Sequence, residues 1–230
     1  MIAKKQRVFI TGGTGYMGRP LITALVKRGH VVRAVVRPAS RSKLPTGCFA
    51  IEADVLQPDS YKRHISPADT FVHLVGVAHP SPAKSAEFRS IDQVAADGAI
   101  QVAAEQGMRH FVYLSVAHPA PMMKAYIDVR SQCEGMLRST GMNTTILRPW
   151  YVLGPGHRWP YALLPMYWVA EQIPATREGA RRLGLVTLEQ MIGALLEAVE
   201  HPATGVRVME VPEIRASRAY SVLHSMVGSR

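Results

Sequence analysis

Three regularly spaced glycines are the first residues in this chain whose arrangement suggests chemistry. The segment Thr11-Gly12-Gly13-Thr14-Gly15-Tyr16-Met17-Gly18 has the spacing Gly12-x-x-Gly15-x-x-Gly18, and it joins an apolar run, Arg7 to Thr11, to a helical pattern, Met17 to Arg28. Between a strand and a helix, Gly12 permits the tight turn, Gly15 lets the backbone approach a pyrophosphate, and Gly18 lets helix and strand pack closely. The first amides of the helix and its positive dipole end then face the phosphates. The pattern predicts a dinucleotide ligand; the alternative is a glycine-rich turn with no ligand.

A second signal stands at the end of the next apolar run. Val31 to Val36 is followed by Arg37-Pro38, with Arg41 and Lys43 close behind. A site for NAD places a carboxylate there to take the ribose hydroxyls. None is present, and a guanidinium offers a planar fork to a 2′-phosphate. The expectation is NADP(H) in preference to NAD(H). Arg33, which shares a strand face with Arg37 at period two, is a second candidate. In the alternative reading these arginines coat a solvated edge.

Alternating elements must position these groups. Short strands are expected at Arg7–Thr11, Val31–Val36, Phe49–Glu52, Thr70–Gly76, His110–Ser115 and Asn143–Arg148. Helices are expected at Met17–Arg28, Ser85–Gln106 and Met123–Thr140, two of them closed by Gly29 and Gly141. The strands are continuous apolar runs, as in a parallel sheet covered on both faces. Right-handed crossovers make this a doubly wound α/β sheet of Rossmann type. After Pro149 the chain turns rich in Trp, Tyr, Pro and Arg, then offers a helix over Leu188–Glu200, a strand over Val206–Val211 and a last helix over Ala216–Val227. Residues 1–230 are thus expected to form a single domain, with a core over 1–149 and a small C-terminal α/β lobe, 150–230, on the substrate side.

The motifs resemble those of the extended and atypical short-chain dehydrogenase/reductases. The resemblance rests on Thr11–Gly18, Glu52-Ala53-Asp54-Val55, Leu114-Ser115, Tyr126, Leu147-Arg148-Pro149 and Gly184 to Met191, in the family's order and spacing. The chain is most similar to the NAD(P)H-binding, NmrA-like branch, which also resembles the NADPH-binding accessory subunit of respiratory complex I. The resemblance implies cofactor contacts from Gly12, Thr14, Gly15, Tyr16, Met17, Gly18, Arg37, Asp54, Val55, Leu74, Val75, Gly76, Tyr126, Arg130 and Pro149. Asp54 would meet the adenine; alternatively it caps the turn at Gln57-Pro58.

The family's chemistry uses Ser, Tyr and Lys. Tyrosine serves as general acid/base, lysine binds the nicotinamide ribose and lowers the tyrosine pKa, and serine orients the substrate oxygen. The implied catalytic residues here are Ser115, Tyr126 and Arg130, with arginine where the family has lysine. Tyr126 and Arg130 share a helical face at i, i+4. Glu134, one turn on, is expected to hold Arg130 as an ion pair. An arginine keeps the charge but is bulkier and cannot relay a proton. The departure questions turnover more than binding, which leaves two readings. One is a reductase that transfers hydride to a small apolar carbonyl or quinone. The other is a non-catalytic NAD(P)H-binding sensor, regulatory or complex-assembly protein.

Composition bounds the remaining choices. Lys plus Arg number 27 against 17 Asp plus Glu, a formal net charge of +10. That charge suits an anionic partner, but no nucleic-acid module or basic run interleaved with aromatics is present. Only Cys48 and Cys133 occur, too few for a disulfide scaffold. No apolar run is long enough for a signal peptide core or a membrane span, so a cytoplasmic protein is expected, with peripheral membrane contact left open. Nine histidines are scattered without metal-ligand spacing. His73 reads as a hydrogen-bonded core residue, whereas His79 and His118 follow strands and are candidate substrate contacts. Trp150, Tyr151, Trp159, Tyr161, Tyr167 and Trp168 suggest an apolar pocket wall or, equally, the packing of a lobe.

Overall fold

The computed structural model describes residues 4–78, 80–120, 122–155 and 172–217. Its main sheet has seven strands in the order β3-β2-β1-β4-β5-β6-β9, all pairs parallel. These are β1 Arg7–Thr11, β2 Val31–Val36, β3 Cys48–Glu52, β4 Thr70–His73, β5 His110–Leu114, β6 Asn143–Leu147 and β9 Val206–Met209. A separate parallel pair joins β7 Tyr151–Leu153 to β8 Leu185–Thr187. The α-helices that matter here are α1 Gly18–Lys27, α2 Val94–Glu105, α3 Lys124–Ser139, α4 Pro174–Arg182, α5 Leu188–Glu200 and α6 Val211–Ala216.

The two sheet faces carry two cores. One face packs Val8, Ile10, Val32 and Val72 against Leu21, Leu25, Met191 and Leu195 of α1 and α5. The other packs Phe9, Phe71, Phe111 and Tyr113 against Ile100, Ala103, Val129 and Leu137 of α2 and α3. Alternate residues of β1 therefore enter opposite cores, as the two-residue period of a strand requires. Phe71 stacks on Phe111 with ring centroids 5.0 Å apart.

Several expected boundaries shift. Strand β4 ends at His73, and Leu74 to Gly76 leave the ladder toward the carboxyl edge. The helix expected from Ser85 is not uniform: a wide π-type segment, Phe88–Gln93, precedes α2. The strand expected through Val211 stops at Met209, and Val211 begins α6 with Pro212 in its first turn. The last helix expected over Ala216–Val227 lies beyond the described residues except at its start, where α6 ends.

β9 is the seventh strand of the main sheet, and α5 lies against α1 beneath it. A full capping box fixes the start of α5: the Thr187 hydroxyl accepts from the Gln190 amide, and the Gln190 side chain accepts from the Thr187 amide.

Candidate functional site

β1 has β2 on one side and β4 on the other, so the chain changes direction across the sheet there. In such a sheet the crevice outside the carboxyl ends of these strands is where ligands bind. The Gly12–Gly18 loop lies in it. Gly12 has φ +80°, and a Cβ on it would stand 2.7 Å from the Leu74 carbonyl carbon. A Cβ on Gly18 would stand 2.3 Å from the Gly12 carbonyl oxygen. Only glycine allows these approaches, which press the loop against both α1 and the exit of β4. α1 begins without a side-chain cap and with no acid in its first turn, a helix end suited to an anion. Thr14, Tyr16 and Met17 are half-buried and Gly15 is exposed. The Tyr16 hydroxyl reaches the space above Gly154, 2.2 Å from where a Cβ there would stand, so residue 16 brings the loop against the end of β7.

Arg37 is exposed at the end of β2, before the 3-10 turn Pro38–Lys43. Arg41 in that turn pairs with Glu52 at the end of β3. Arg33 departs from expectation. Its guanidinium donates to the carbonyls of His64 at 3.2 Å and Ser66 at 3.0 Å. It sits four residues, roughly 13 Å along an extended chain, behind Arg37, too far back to share one phosphate. The Asp54 carboxylate accepts from the Leu56 amide at 3.0 Å, and its carbonyl from the Gln57 amide at 3.0 Å. Asp54 thus holds the turn before Pro58, although Gln57 is the capping residue of the helical turn itself. Val55 packs against the second core.

Tyr126 and Arg130 do meet on one face of α3. The Arg130 guanidinium carbon lies 5.1 Å from the centre of the Tyr126 ring, and Phe88 lies against that ring at 4.9 Å. The partner expected for Arg130 is corrected: it pairs with Asp92, Nη2 to Oδ2 at 3.0 Å, and not with Glu134. Asp92 belongs to the π-type segment, whose extra residue per turn resets the helix face. Arg130 also donates to the Leu114 carbonyl at 2.9 Å and, at 3.4 Å, to the Val75 carbonyl and the Tyr113 hydroxyl. It is 2% exposed and clasps the ends of β4 and β5 to two helices. Asp92 takes a further bond from the Val77 amide at 2.7 Å.

Glu134 serves a different cluster. The Ser115 hydroxyl donates to it at 2.5 Å, and the Arg148 Nε donates to the same oxygen at 3.0 Å. Arg148 continues to Glu210 at 2.8 Å, and His118 Nε2 lies 3.5 Å from Glu134. Ser115, 3% exposed, thus spends its hydroxyl on a buried carboxylate. Pro149 is buried and its carbonyl accepts from the Ala117 amide at 3.0 Å. Leu74 and Val75 are half-buried and Gly76 is exposed, so backbone lines this part of the edge.

Charge in both clusters follows from burial and partners. Burial alone would lower the Arg130 pKa, but Tyr126, Tyr113 and Asp92 outweigh it and hold the guanidinium charged. Burial raises the Asp92 carboxyl against the pull of Arg130 and the Val77 amide. Burial would likewise raise Glu134, but hydrogen bonds from Arg148 and Ser115 bring it below the usual carboxylate range. His73 is buried, with Nδ1 2.8 Å from the Thr11 hydroxyl. Its burial, assisted by Arg130, depresses its pKa to about 3.

His79, Trp159, Tyr161, Tyr167 and Trp168 lie outside the described residues. Asp92 and Glu210 had no motif to reveal them. An acid at residue 92 within an otherwise core-facing helical pattern was the available signal.

An NAD(P)H-binding family model matches residues 12–159, so the chain belongs to this NAD(P)H-binding family, within the short-chain dehydrogenase/reductase class that its fold and glycine loop define. It is similar to ceramide reductase of Caulobacter vibrioides, 25% identical over 90% of this chain and 65% of the relative. It is also similar to a ketoreductase of Stigmatella aurantiaca acting on a 4-hydroxy-2-methyl-3-oxo-4-farnesyl-3,4-dihydroquinoline-1-oxide, 26% identical over 64% of this chain and 51% of the relative. Photosystem II assembly factor Ycf39 of Synechocystis is 26% identical over 62% of this chain and 44% of the relative. The chain therefore spans about half to two thirds of the length of these relatives. Among solved structures, the Bordetella bronchiseptica enzyme WbmH in complex with NAD+ superposes with a TM-score of 0.68 at 21% identity, covering 90% of this chain and 76% of that one. These structures share the parallel Rossmann-like sheet.

Proposed function

We propose that this protein binds NADP(H) in preference to NAD(H) and reduces a small apolar carbonyl or quinone, as a member of the NmrA-like branch. The observation that carries this reading is the exposed Arg37 directly after β2, a strand that ends in Val35-Val36 with no carboxylate of its own, while Glu52 on the neighbouring strand is paired with Arg41. A fixed guanidinium there suits a 2′-phosphate and leaves the ribose hydroxyls of NAD without their acceptor. The cradle at Gly12 and Gly18, which a side chain would fill, supports a dinucleotide in the crevice.

In this reading Gly12, Thr14, Gly15, Tyr16, Met17 and Gly18 hold the pyrophosphate, and Asp54 and Val55 border the adenine. Leu74, Val75, Gly76 and Pro149 line the path to the nicotinamide, beside Tyr126. When bound, the reduced dinucleotide supplies the hydride. Arg130 acts as a positioning residue that fixes the Val75 and Leu114 carbonyls and the Tyr126 ring. The whole chain serves as one cytoplasmic unit. No helix among the described residues is long and apolar enough to cross a membrane, which is compatible with that location. The reductases among its relatives support the reaction class.

Calorimetry with NADPH and NADH tests the cofactor assignment: tighter NADPH binding is expected, and equal or tighter NADH binding overturns it. A second reading, a non-catalytic dinucleotide-binding or assembly protein, draws on one observation. Two of the three residues expected to act, Ser115 and Arg130, spend their polar groups inside the fold. Dinucleotide binding with no oxidation of NADPH by ketones, aldehydes or quinones would select it.

A further inference from the structure

The sheet face that carries the second core is open toward the amino ends of β2 and β3. Residues 31, 33 and 35 of β2 and 49 and 51 of β3 share that face by the two-residue period of a strand. Val35 and Ile51 pack into the core, whereas Val31 and Phe49, earlier on the same two strands, are 45% and 62% exposed. A cavity of about 400 Å³ lies there, lined by Val31, Arg33, Phe49, Ala50, Ile51 and His64. That volume is in the range of small-molecule sites. Arg33 stands opposite Phe49 in the parallel register. Its two hydrogen bonds, to the His64 and Ser66 carbonyls, both use Nη1 and pin the guanidinium beside the apolar wall. Nε and Nη2 carry no bond among the described residues. They form one edge of the guanidinium, the fork that meets a carboxylate through two parallel bonds. The lining residues include no carboxylate to neutralise this cation. Glu52 on the same strand is committed to Arg41, and Asp69 to Arg7.

We propose that this cavity is a second ligand site, and that it takes a free small molecule with an apolar body and a single anionic head, such as an aryl carboxylate. The head meets the Nε–Nη2 edge of Arg33, and the body covers Phe49, Val31 and Ile51. The cavity lies toward the amino ends of the strands, whereas the glycine loop lies at their carboxyl ends, so the inference does not depend on the reductase reading. Charge argues against a second copy of the chain as the occupant. A copy carrying +10 would bring a basic surface to a cation that has no carboxylate beside it.

Fluorescence titration of the full chain with anilinonaphthalene sulfonate, an apolar monoanion, tests this, with NADPH absent and in excess. The uncharged parent of the probe, phenylnaphthylamine, isolates the part played by the cation. Phe49→Gln and Arg33→Gln should each weaken sulfonate binding by about tenfold or more. Val206→Gln, which removes an exposed apolar residue at the opposite edge of the sheet, should leave it unchanged. The uncharged parent should bind the wild type more weakly, lose affinity in Phe49→Gln and be indifferent to Arg33→Gln. NADPH should not displace the sulfonate from this site. Sulfonate binding unchanged in Phe49→Gln, or no tighter in the wild type than binding of the uncharged parent, overturns the proposal even if Arg33→Gln fails to fold. Complete displacement by NADPH would put the probe in the crevice and overturns it as well. So does a dimer in sedimentation velocity that Phe49→Gln dissociates, which would assign this face to a second copy.

Discussion

The guanidinium of Arg130 occupies the place where a side chain on Gly76 would begin: its Nη2 lies 2.6 Å from the position of a Cβ there. The absence of a side chain at 76 lets the arginine reach Asp92 and the Val75 and Leu114 carbonyls. The two residues form one device, although 54 positions separate them. A lysine at 130 would bring fewer donors and no planar fork to these acceptors.

Removing either charge of the Arg130–Asp92 pair should be strongly destabilising. Arg130→Met leaves Asp92 buried without its cation, and losses of this kind are about 3–5 kcal/mol. Arg130→Lys should cost less but still lower the urea midpoint, and it should not raise turnover. A gain in turnover with Arg130→Lys would show that the arginine limits catalysis and that its role is not positional.

Gly76→Ala should act through the same contact. The new methyl must displace the Arg130 Nη2, which is held by two acceptors, the Asp92 carboxylate and the Val75 carbonyl. A drop in thermal stability and weaker NADPH binding are expected together. Unchanged values for both would show that the guanidinium relaxes without consequence.

Arg37→Asp should reverse or abolish the preference for NADPH. A charge-assisted contact to phosphate is worth on the order of 1.5–3 kcal/mol, so the ratio of the two Kd values should move roughly tenfold to hundredfold. Calorimetry with both dinucleotides reads it directly. Arg33→Ala, whose partners are the carbonyls of His64 and Ser66, should leave the ratio unchanged and lower stability.

Acid should destabilise the fold well before the carboxylates titrate. Burial depresses His73 to about 3 and His110 to about 4, from an ordinary value of 6.5. The unfolded chain therefore binds more protons than the folded one between about pH 6.5 and 4. Stability is full above that window and falls as pH drops through it, by about 1.4 kcal/mol per pH unit for each histidine. Asp92 and Asp97, raised by burial, act in the opposite sense at the lower end. Urea denaturation at several pH values measures the slope, and His110→Gln should make it shallower by about one proton.

Much of the architecture was legible in the chain because it is written locally. Continuous apolar runs separated by helical periods specify parallel strands under two layers, and the glycine spacing after Thr11 specifies a turn and a close approach. The resemblance in Tyr126 and Arg130 placed both on one helical face by their spacing of four. Partner choice was not local. Arg130 faces Asp92 because a π-type segment turns residue 92 inward, and Glu134 faces Ser115 and Arg148 because three separate elements converge there. Arg33 and Arg37 look alike in sequence, yet the end of a strand exposes one while carbonyls from another loop hold the other. The role of residues 188–209 was likewise decided by sheet order, since parallel pairing of Val206–Met209 with Asn143–Leu147 brings distant segments into one core. Periodicity determines which faces are buried; only packing in three dimensions determines which buried charge meets which.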